Sequence, residues 1–401
     1  MQRFPSAVEV ATARRPELPV ACLRPHAATR AARFFVDRFP GTSLYAVKAN
    51  PDPIMLDALY AGGIRAFDVA SLNEVMLIGE RFPAARMAFM HPVKSRLAIR
   101  RAYFEYGVRD FSLDSHAELE KILIATENAR DLGLFVRIAV SNDEARLSLS
   151  HKFGIDGPEA VELLRAARHH AARLGICFHV GSQTMNPQAY VRALERVQAL
   201  ILRAGVVIDV VDVGGGFPAR YPGLEPPPLE DYFAAIEQMY EEKLSITYTC
   251  DLWCEPGRAL VAEATTVLTR VELRKSDTLY LNEGTYGALF DAGAFEFVYP
   301  ARRIRVDGQD DPDTALAPFR LYGPTCDSID AMKGPFWLPA DIDEGDYIEF
   351  DILGAYGMAL RTGFNGFVPE EPVIVEDEPA LSAYRTGDRV AQKPGFRLIG
   401  S

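Results

Sequence analysis

The chain has 401 residues, 48% of them hydrophobic and 24% charged. That balance is close to the globular averages of roughly 45–50% and ~25%, and it excludes disordered, collagen-like and disulfide-framework architectures. Lys and Arg number 43 against 55 Asp and Glu, a formal net charge of −12, which opposes attraction to nucleic acid or anionic lipid and favours a cationic small molecule.

In chain order, Leu18–Leu23 is the first expected strand, placed to pair with the C-terminal part of the chain. Eight apolar runs follow: Leu44–Val47, Ile64–Val69, Met87–Met90, Asp110–Leu113, Leu134–Val140, Ile176–Val180, Val206–Val213 and Ile246–Cys254. Between them lie segments of helical period at Ile54–Ala61, Ser71–Glu80, Ser115–Asn128, Pro158–Leu174, Pro187–Gly205 and Leu229–Lys243. Strand followed by helix, repeated along this stretch, predicts a (β/α)8 barrel. Ser71 with Glu74 and Ser115 with Glu118 match the capping box, in which hydroxyl and carboxylate reciprocally satisfy free N–H groups. After residue 260 the texture becomes β-rich, with runs at Ala264–Leu273, Thr278–Asn282, Phe319–Tyr322, Tyr347–Leu353 and Pro372–Glu376. The expected organisation is an N-terminal segment 1–25 joined to a β domain 261–401, with the barrel occupying 26–260.

Cys22, Cys177, Cys250, Cys254 and Cys326 form no C-x-x-C pair and no zinc pattern, so no metal is expected. No apolar run approaches the ~18 residues of a membrane span and no signal-peptide core is present, which makes the cytoplasm the expected location.

Barrel enzymes carry their chemistry at the C-terminal ends of the strands. That rule selects Lys48, Asp68, His91, Arg137, His179, Gly214–Gly216 and Glu255. The three glycines follow the seventh run, where a barrel often binds phosphate; they serve either as an anion cradle or as a tight turn. Glu255-Pro-Gly-Arg258 adds a cation and more backbone N–H groups after the eighth run. Lys48 either snorkels to solvent or has its pKa pulled down by apolar surroundings and becomes a nucleophile. Taken together, a lysine, a phosphate cradle and a carboxylate across the mouth fit pyridoxal 5'-phosphate, with its aldehyde on Lys48, its phosphate on the glycines and its ring N–H on Glu255.

The motifs Tyr45-Ala-Val-Lys-Ala-Asn50, Phe67-Asp-Val-Ala-Ser71 with Glu74, His179-Val-Gly-Ser-Gln183, Gly214-Gly-Gly-Phe-Pro218, Glu255-Pro-Gly-Arg258, Tyr322-Gly-Pro-Thr-Cys-Asp327 and Gly354-Ala-Tyr356 run in order over most of the chain. As a set, the chain resembles the fold-type III (alanine racemase-like), pyridoxal-phosphate-dependent basic amino acid decarboxylases, nearest the ornithine decarboxylase branch. The resemblance implies a carboxy-lyase acting on L-ornithine to give putrescine, in polyamine biosynthesis. Lysine, arginine, 2,4-diaminobutyrate and diaminopimelate are alternative substrates, and a catalytically inactive binding or regulatory homologue is the alternative class.

By the same resemblance Lys48 carries the cofactor, Asp68 and Glu74 support it, His179 stacks on the ring, and Glu255 pairs with the ring nitrogen. Ser182, Gly215, Gly216, Gly257, Arg258 and Tyr356 would hold the phosphate. A head-to-tail homodimer is implied, each subunit lending Cys326 as the proton donor to Cα and Asp327 for the distal ammonium, with Tyr286 in the substrate site. Two places depart from the pattern. Arg146 stands two residues too far from Lys152-Phe-Gly154 to overlay the family arginine. Where the family carries an aspartate for the distal amine, the chain reads Phe290-Asp-Ala-Gly-Ala-Phe-Glu-Phe297, so Glu296, or secondarily Asp291, takes that place. On an unmoved backbone a glutamate there reaches one methylene further and favours a shorter diamino acid, whereas a backbone shift admits a longer or guanidino substrate.

Overall fold

The computed structural model describes residues 1–147, 152–245, 250–308, 311, 313–384 and 396. All eight apolar runs contribute to one closed parallel barrel, whose strands are Thr42–Ala46, Ala66–Val69, Arg86–Phe89, Asp110–Leu113, Gly133–Arg137, Arg173–Cys177, Val210–Asp212 and Asp251–Cys254. The last strand closes on the first through the pairs Trp253↔Thr42 and Cys254↔Ser43. The second, fifth and seventh strands are shorter than their runs, and residues 246–249 of the eighth run lie outside the described residues.

Side chains fill the barrel. Leu44, Met90, Phe135, Cys177, Val210 and Trp253 form its inner cluster, with Phe135 stacked on Trp253 at 5.0 Å. A Cβ on Gly175 would stand 2.2 Å from the Phe135 ring, so a glycine in that strand makes room for the aromatic pair. At the opposite end from the strand termini, buried Asp110 receives Arg86 at 2.8 Å and Arg173 at 2.6 Å, closing the barrel floor.

The helices differ from expectation in three ways. Pro158–Leu174 ends as a helix at His170, since Arg173 and Leu174 already belong to the sixth strand. Helices Ala7–Arg14, Pro25–Arg38 and Arg96–Phe104 were not expected. Pro25–Arg38 buries Ala27, Ala28, Ala31, Ala32 and Phe35, a face made chiefly of alanines, which leave little hydrophobic periodicity to read. Both capping boxes form by half: Ser71 Oγ accepts the Glu74 N–H at 3.2 Å while the Glu74 carboxylate accepts the Ala70 N–H, one residue ahead of the cap, and Ser115 Oγ accepts the Glu118 N–H at 3.3 Å while the Glu118 carboxylate turns to Lys94 at 3.0 Å.

The second layer is a nine-stranded sheet. Val20–Leu23 pairs antiparallel with Thr265–Lys275 and parallel with Val373–Val375, so the start of the chain joins the sheet built by its end. The next residue, Arg24, is fully buried and reaches Asp351 at 2.6 Å, Asp377 at 3.0 Å and Glu349 at 3.2 Å, tying that strand into the sheet. Strands Ala301–Ile304 and Ala331–Pro339 were not expected. The first carries two buried arginines, Arg302 and Arg303, paired with Glu349 and Asp341. The second contains Gly334-Pro335, which is tolerated because this strand forms an edge of the sheet. Among the described residues, no helix is long and apolar enough to cross a membrane.

Candidate active site

Lys48 lies in a single 3₁₀ turn, Val47–Ala49, directly after the first barrel strand rather than within it. Its Nζ donates to Asp68 Oδ2 at 2.6 Å. The side chain opens onto a cavity of about 380 Å³ that is also lined by His91, Arg137, His179, Ser182, Glu255 and Tyr356. Although 44% of it is accessible within the cleft, the protein shell around it still strips away bulk water. Of the two sequence readings, a lysine snorkelling to solvent or one whose pKa burial lowers, the second has the wrong sign. Desolvation does pull the ammonium down, but Asp68, Glu255 and Tyr356 outweigh it and hold Lys48 above the ordinary lysine range.

Acid groups outnumber that one ammonium. Asp68 is 1% exposed, and its Oδ1 has no partner among the described residues. Asp212, the last residue of the seventh strand, is fully buried and accepts the Gly214 N–H at 2.8 Å through Oδ1. Its Oδ2 meets no donor while both it and Glu255 are ionised; a proton shared between the two carboxyls resolves this. Burial pushes Asp212 up to about 6, and burial together with the neighbouring Asp212 and Asp68 raises Glu255 as well. Glu74 accepts the Ala70 N–H at 2.6 Å, and burial raises its pKa. Asp212 was missed in the sequence, although an aspartate inside an apolar strand was the available signal.

On the other side of the cavity the backbone is arranged for an anion. Gly214 and Gly216 have φ of +68° and +107°, while Gly215 does not need a positive φ. Gly215 is required for space: a Cβ there would stand 2.7 Å from Glu255 O and 3.1 Å from His179 Nε2. The N–H groups of Gly215, Gly216, Gly257 and Arg258 have no acceptor among the described residues. The Tyr356 hydroxyl stands 3.5 Å from where a Cβ on Gly257 would be, and Ser182 begins the short strand beside the loop. Arg258 is buried and already engaged, by Tyr221 Oη at 3.0 Å and Asp291 at 3.1 Å; its Nε has no partner among the described residues.

His179 accepts the Gly181 N–H on Nδ1 at 3.0 Å. Burial, with Arg137 and Lys48 nearby, pushes it down to about 3, so the imidazole is neutral at physiological pH. His91, against Phe153 at 5.1 Å, is also lowered by burial. Lys152 and Phe153 line the cavity too and were not selected from the sequence; they follow residues 148–151, which lie outside the described residues.

The remaining sequence candidates lie elsewhere on the chain. Cys326 is exposed, and its Sγ donates to Asn365 Oδ1 at 3.5 Å. Asp327 Oδ2 accepts from the Tyr286 hydroxyl at 2.6 Å, and this bond lowers the carboxyl pKa while pushing the phenol up to about 12. None of the three lines the Lys48 cavity within one chain. Glu296 does not reach it either: the residue is exposed, has φ +57°, and pairs with Lys333 at 2.9 Å. Asp291 is buried against Arg258. The side-chain-length argument built on Glu296 therefore does not hold for this arrangement. Arg146 donates to Phe295 O at 3.1 Å, bracing the Glu296 loop rather than the cavity.

Unclaimed N–H groups at the glycine loop, surplus buried carboxyls at Glu255 and an amine at Lys48 fit a molecule bearing a phosphate, a protonated ring nitrogen and a carbonyl. Residues 26–262 match the family described as pyridoxal-dependent decarboxylase, pyridoxal binding domain. A lysine/ornithine decarboxylase of Selenomonas ruminantium is 34% identical over 361 residues, covering 87% of each chain. The arginine decarboxylase of Paramecium bursaria Chlorella virus, bound to agmatine, superposes with a TM-score of 0.80 at 28% identity, covering 93% of this chain and 100% of that one. The lysine/ornithine decarboxylase of Vibrio vulnificus, complexed with putrescine, gives 0.78 at 28% identity, with 93% and 99% covered. The barrel, the cradle and these relatives agree: the chain belongs to the fold-type III, pyridoxal-phosphate-dependent decarboxylases of basic amino acids.

Proposed function

We propose that the chain decarboxylates L-ornithine to putrescine, in the cytoplasm, as a step of polyamine biosynthesis. The observation that carries this reading is the Cys326-Asp327 pair, in which Tyr286 fixes the Asp327 carboxylate at 2.6 Å and keeps it anionic beside a thiol. An anion so placed suits a distal ammonium, and the thiol beside it suits proton delivery to Cα. Because the pair does not line its own chain's cavity, a head-to-tail homodimer completes the site, bringing Cys326 of the partner subunit and Asp327 of the partner subunit to Lys48.

When bound, the cofactor supplies a carbonyl that captures the substrate amine and a protonated ring that accepts the electrons of the breaking Cα–carboxylate bond. The chain's residues set up that chemistry. Lys48 would hold the cofactor through its amine. Glu255 would hold the ring nitrogen, where a cation would offset the burial that otherwise protonates the carboxyl. His179 offers a neutral ring face. Gly215, Gly216, Gly257 and Arg258 orient the phosphate, with Ser182 and Tyr356 beside them. Cys326 of the partner subunit donates its S–H proton to Cα once carbon dioxide has left.

One observation keeps longer substrates in competition: Glu296 is turned away to Lys333, which removes the reason to expect a side chain shorter than that of lysine or arginine. Release of carbon dioxide from ornithine, lysine, arginine, 2,4-diaminobutyrate and diaminopimelate, measured in parallel, tests the reading. Ornithine should give the highest kcat/KM. A higher value for another amino acid reassigns the substrate, and a yellow protein inert toward all five is a binding homologue.

A further inference from the structure

Cys326 and Asp327 are neighbours in the chain, yet each is gripped by a different residue from one distant unit. Tyr286 donates to Asp327 Oδ2 at 2.6 Å. Asn365 Oδ1 accepts from Cys326 Sγ at 3.5 Å and from the Cys326 N–H at 3.4 Å. The two gripping residues are bound together. The Thr362 N–H donates to Tyr286 O at 2.9 Å, and the Phe364 ring leans on the Tyr286 ring with centroids 4.8 Å apart. Asn365 itself has φ +54°, the left-handed region that asparagine tolerates better than most residues. A strained backbone conformation held at a functional segment points to a side chain that must be aimed.

We infer that Asn365 is a positioning residue for the decarboxylation: its amide oxygen accepts from the Cys326 S–H and N–H and so fixes where the proton-donating side chain points. In the transfer itself the S–H bond breaks, the proton joins the carbanion at Cα, and the thiolate left behind recovers a proton from water. Asn365 does not line the Lys48 cavity within one chain; it acts through Cys326. This rests on the reading of Cys326 as the proton donor, and the test separates the two.

Asn365→Gly removes the amide and relaxes the backbone, since glycine adopts positive φ without cost, so folding is preserved. Asn365→Asp keeps an acceptor of the same shape. With saturating cofactor and the best substrate of the panel, Asn365→Gly should lower kcat by about three- to tenfold, the worth of one hydrogen bond, with KM unchanged. Asn365→Asp should recover most of the loss. Cys326→Ala should lower kcat further, and adding Asn365→Gly to it should cost nothing more. If Cys326→Ala leaves kcat intact, the proton-donor reading fails. If Cys326→Ala is impaired but Asn365→Gly is silent, or adds its full loss in the double variant, the positioning role fails by itself.

Discussion

Lys48 and Asp68 hold each other across adjacent barrel strands. Asp68 pairs in register with Ala46, and Lys48, two residues further on, folds back through its 3₁₀ turn to place Nζ 2.6 Å from Oδ2. The carboxylate is what keeps the ammonium charged against burial. Asp68→Asn should therefore bring the Lys48 pKa down, since the charge that raises it is gone and desolvation remains. More neutral amine at pH 8 means faster capture of added pyridoxal phosphate, by about tenfold for each pKa unit lost. Stopped-flow absorbance measures the rate. Lys48→Ala should give neither turnover nor the Schiff-base absorbance, and a slower capture by Asp68→Asn would refute the electrostatic account.

The Asp212–Glu255 pair sets a pH dependence whose sign is unusual for carboxyls. Both are raised by burial, Asp212 to about 6, so the folded protein holds a proton that the unfolded chain has already released. Stability from this source is complete below about pH 4 and is lost as pH rises through about 6. His179, pushed down to about 3, works the other way: its stability is present above pH 6.5 and is lost as pH falls through 3. Asp212→Asn removes the first contribution and leaves the second. In cofactor-free protein, the Tm of wild type minus that of Asp212→Asn should fall by roughly 2 °C between pH 5 and 7.5, since about 1.4 kcal/mol goes with the one pKa unit of that range lying below 6. Parallel melting curves would exclude the shared proton.

The barrel was legible because its eight strands are short, mainly apolar runs, as parallel strands buried on both faces tend to be. Position at strand ends was enough to pick Lys48, Asp68, His179 and Glu255. What failed to show has physical causes. Pro25–Arg38 hid because alanines pack without a strong apolar signal, and Ala301–Ile304 because its buried residues include arginines neutralised by Glu349 and Asp341, both distant in sequence. Asp212 hid because one acid in an apolar run reads as noise until Glu255 is known to face it. The sign of the Lys48 shift depends on how many carboxyls surround it, which only the folded arrangement decides.

Lys94 lies beneath the cavity wall, its side chain fully buried, with Nζ bonded to Ser112 O at 2.5 Å, His91 O at 2.9 Å and Glu118 at 3.0 Å. Burial pushes it down to about 8, so it is still mostly charged at neutral pH. Lys94→Met would strand a buried Glu118 with Lys121 as its remaining cation. Breaking one side of such a pair costs about 3–5 kcal/mol, whereas replacing both sides by apolar groups is close to neutral. Urea unfolding should show a large loss for Lys94→Met and recovery of most of it in Lys94→Met with Glu118→Leu. If the double variant is no better than the single, the carboxylate is not the source of the cost.

The glycine loop makes the sharpest geometric demand on the chain. At Gly216, φ is +107° and a Cβ would stand 2.5 Å from Gly181 O and 3.0 Å from Thr184 Oγ1. The Gly216 carbonyl accepts the Thr184 N–H at 2.9 Å, so the loop cannot step aside without breaking that bond. Gly157 is the control: its φ is +63°, but nothing lies within 4 Å of a Cβ there. Gly157→Ala carries backbone strain alone, about 1–2 kcal/mol, and should leave cofactor affinity unchanged. Gly216→Ala should be at least as destabilised and should also weaken pyridoxal phosphate binding by about tenfold, the worth of one charge-assisted hydrogen bond to the phosphate. Cofactor titration followed by fluorescence, beside thermal melting of both variants, measures the two effects separately. Equal affinity in the two variants would mean that the Gly216 N–H does not hold the phosphate, whatever the loop's shape.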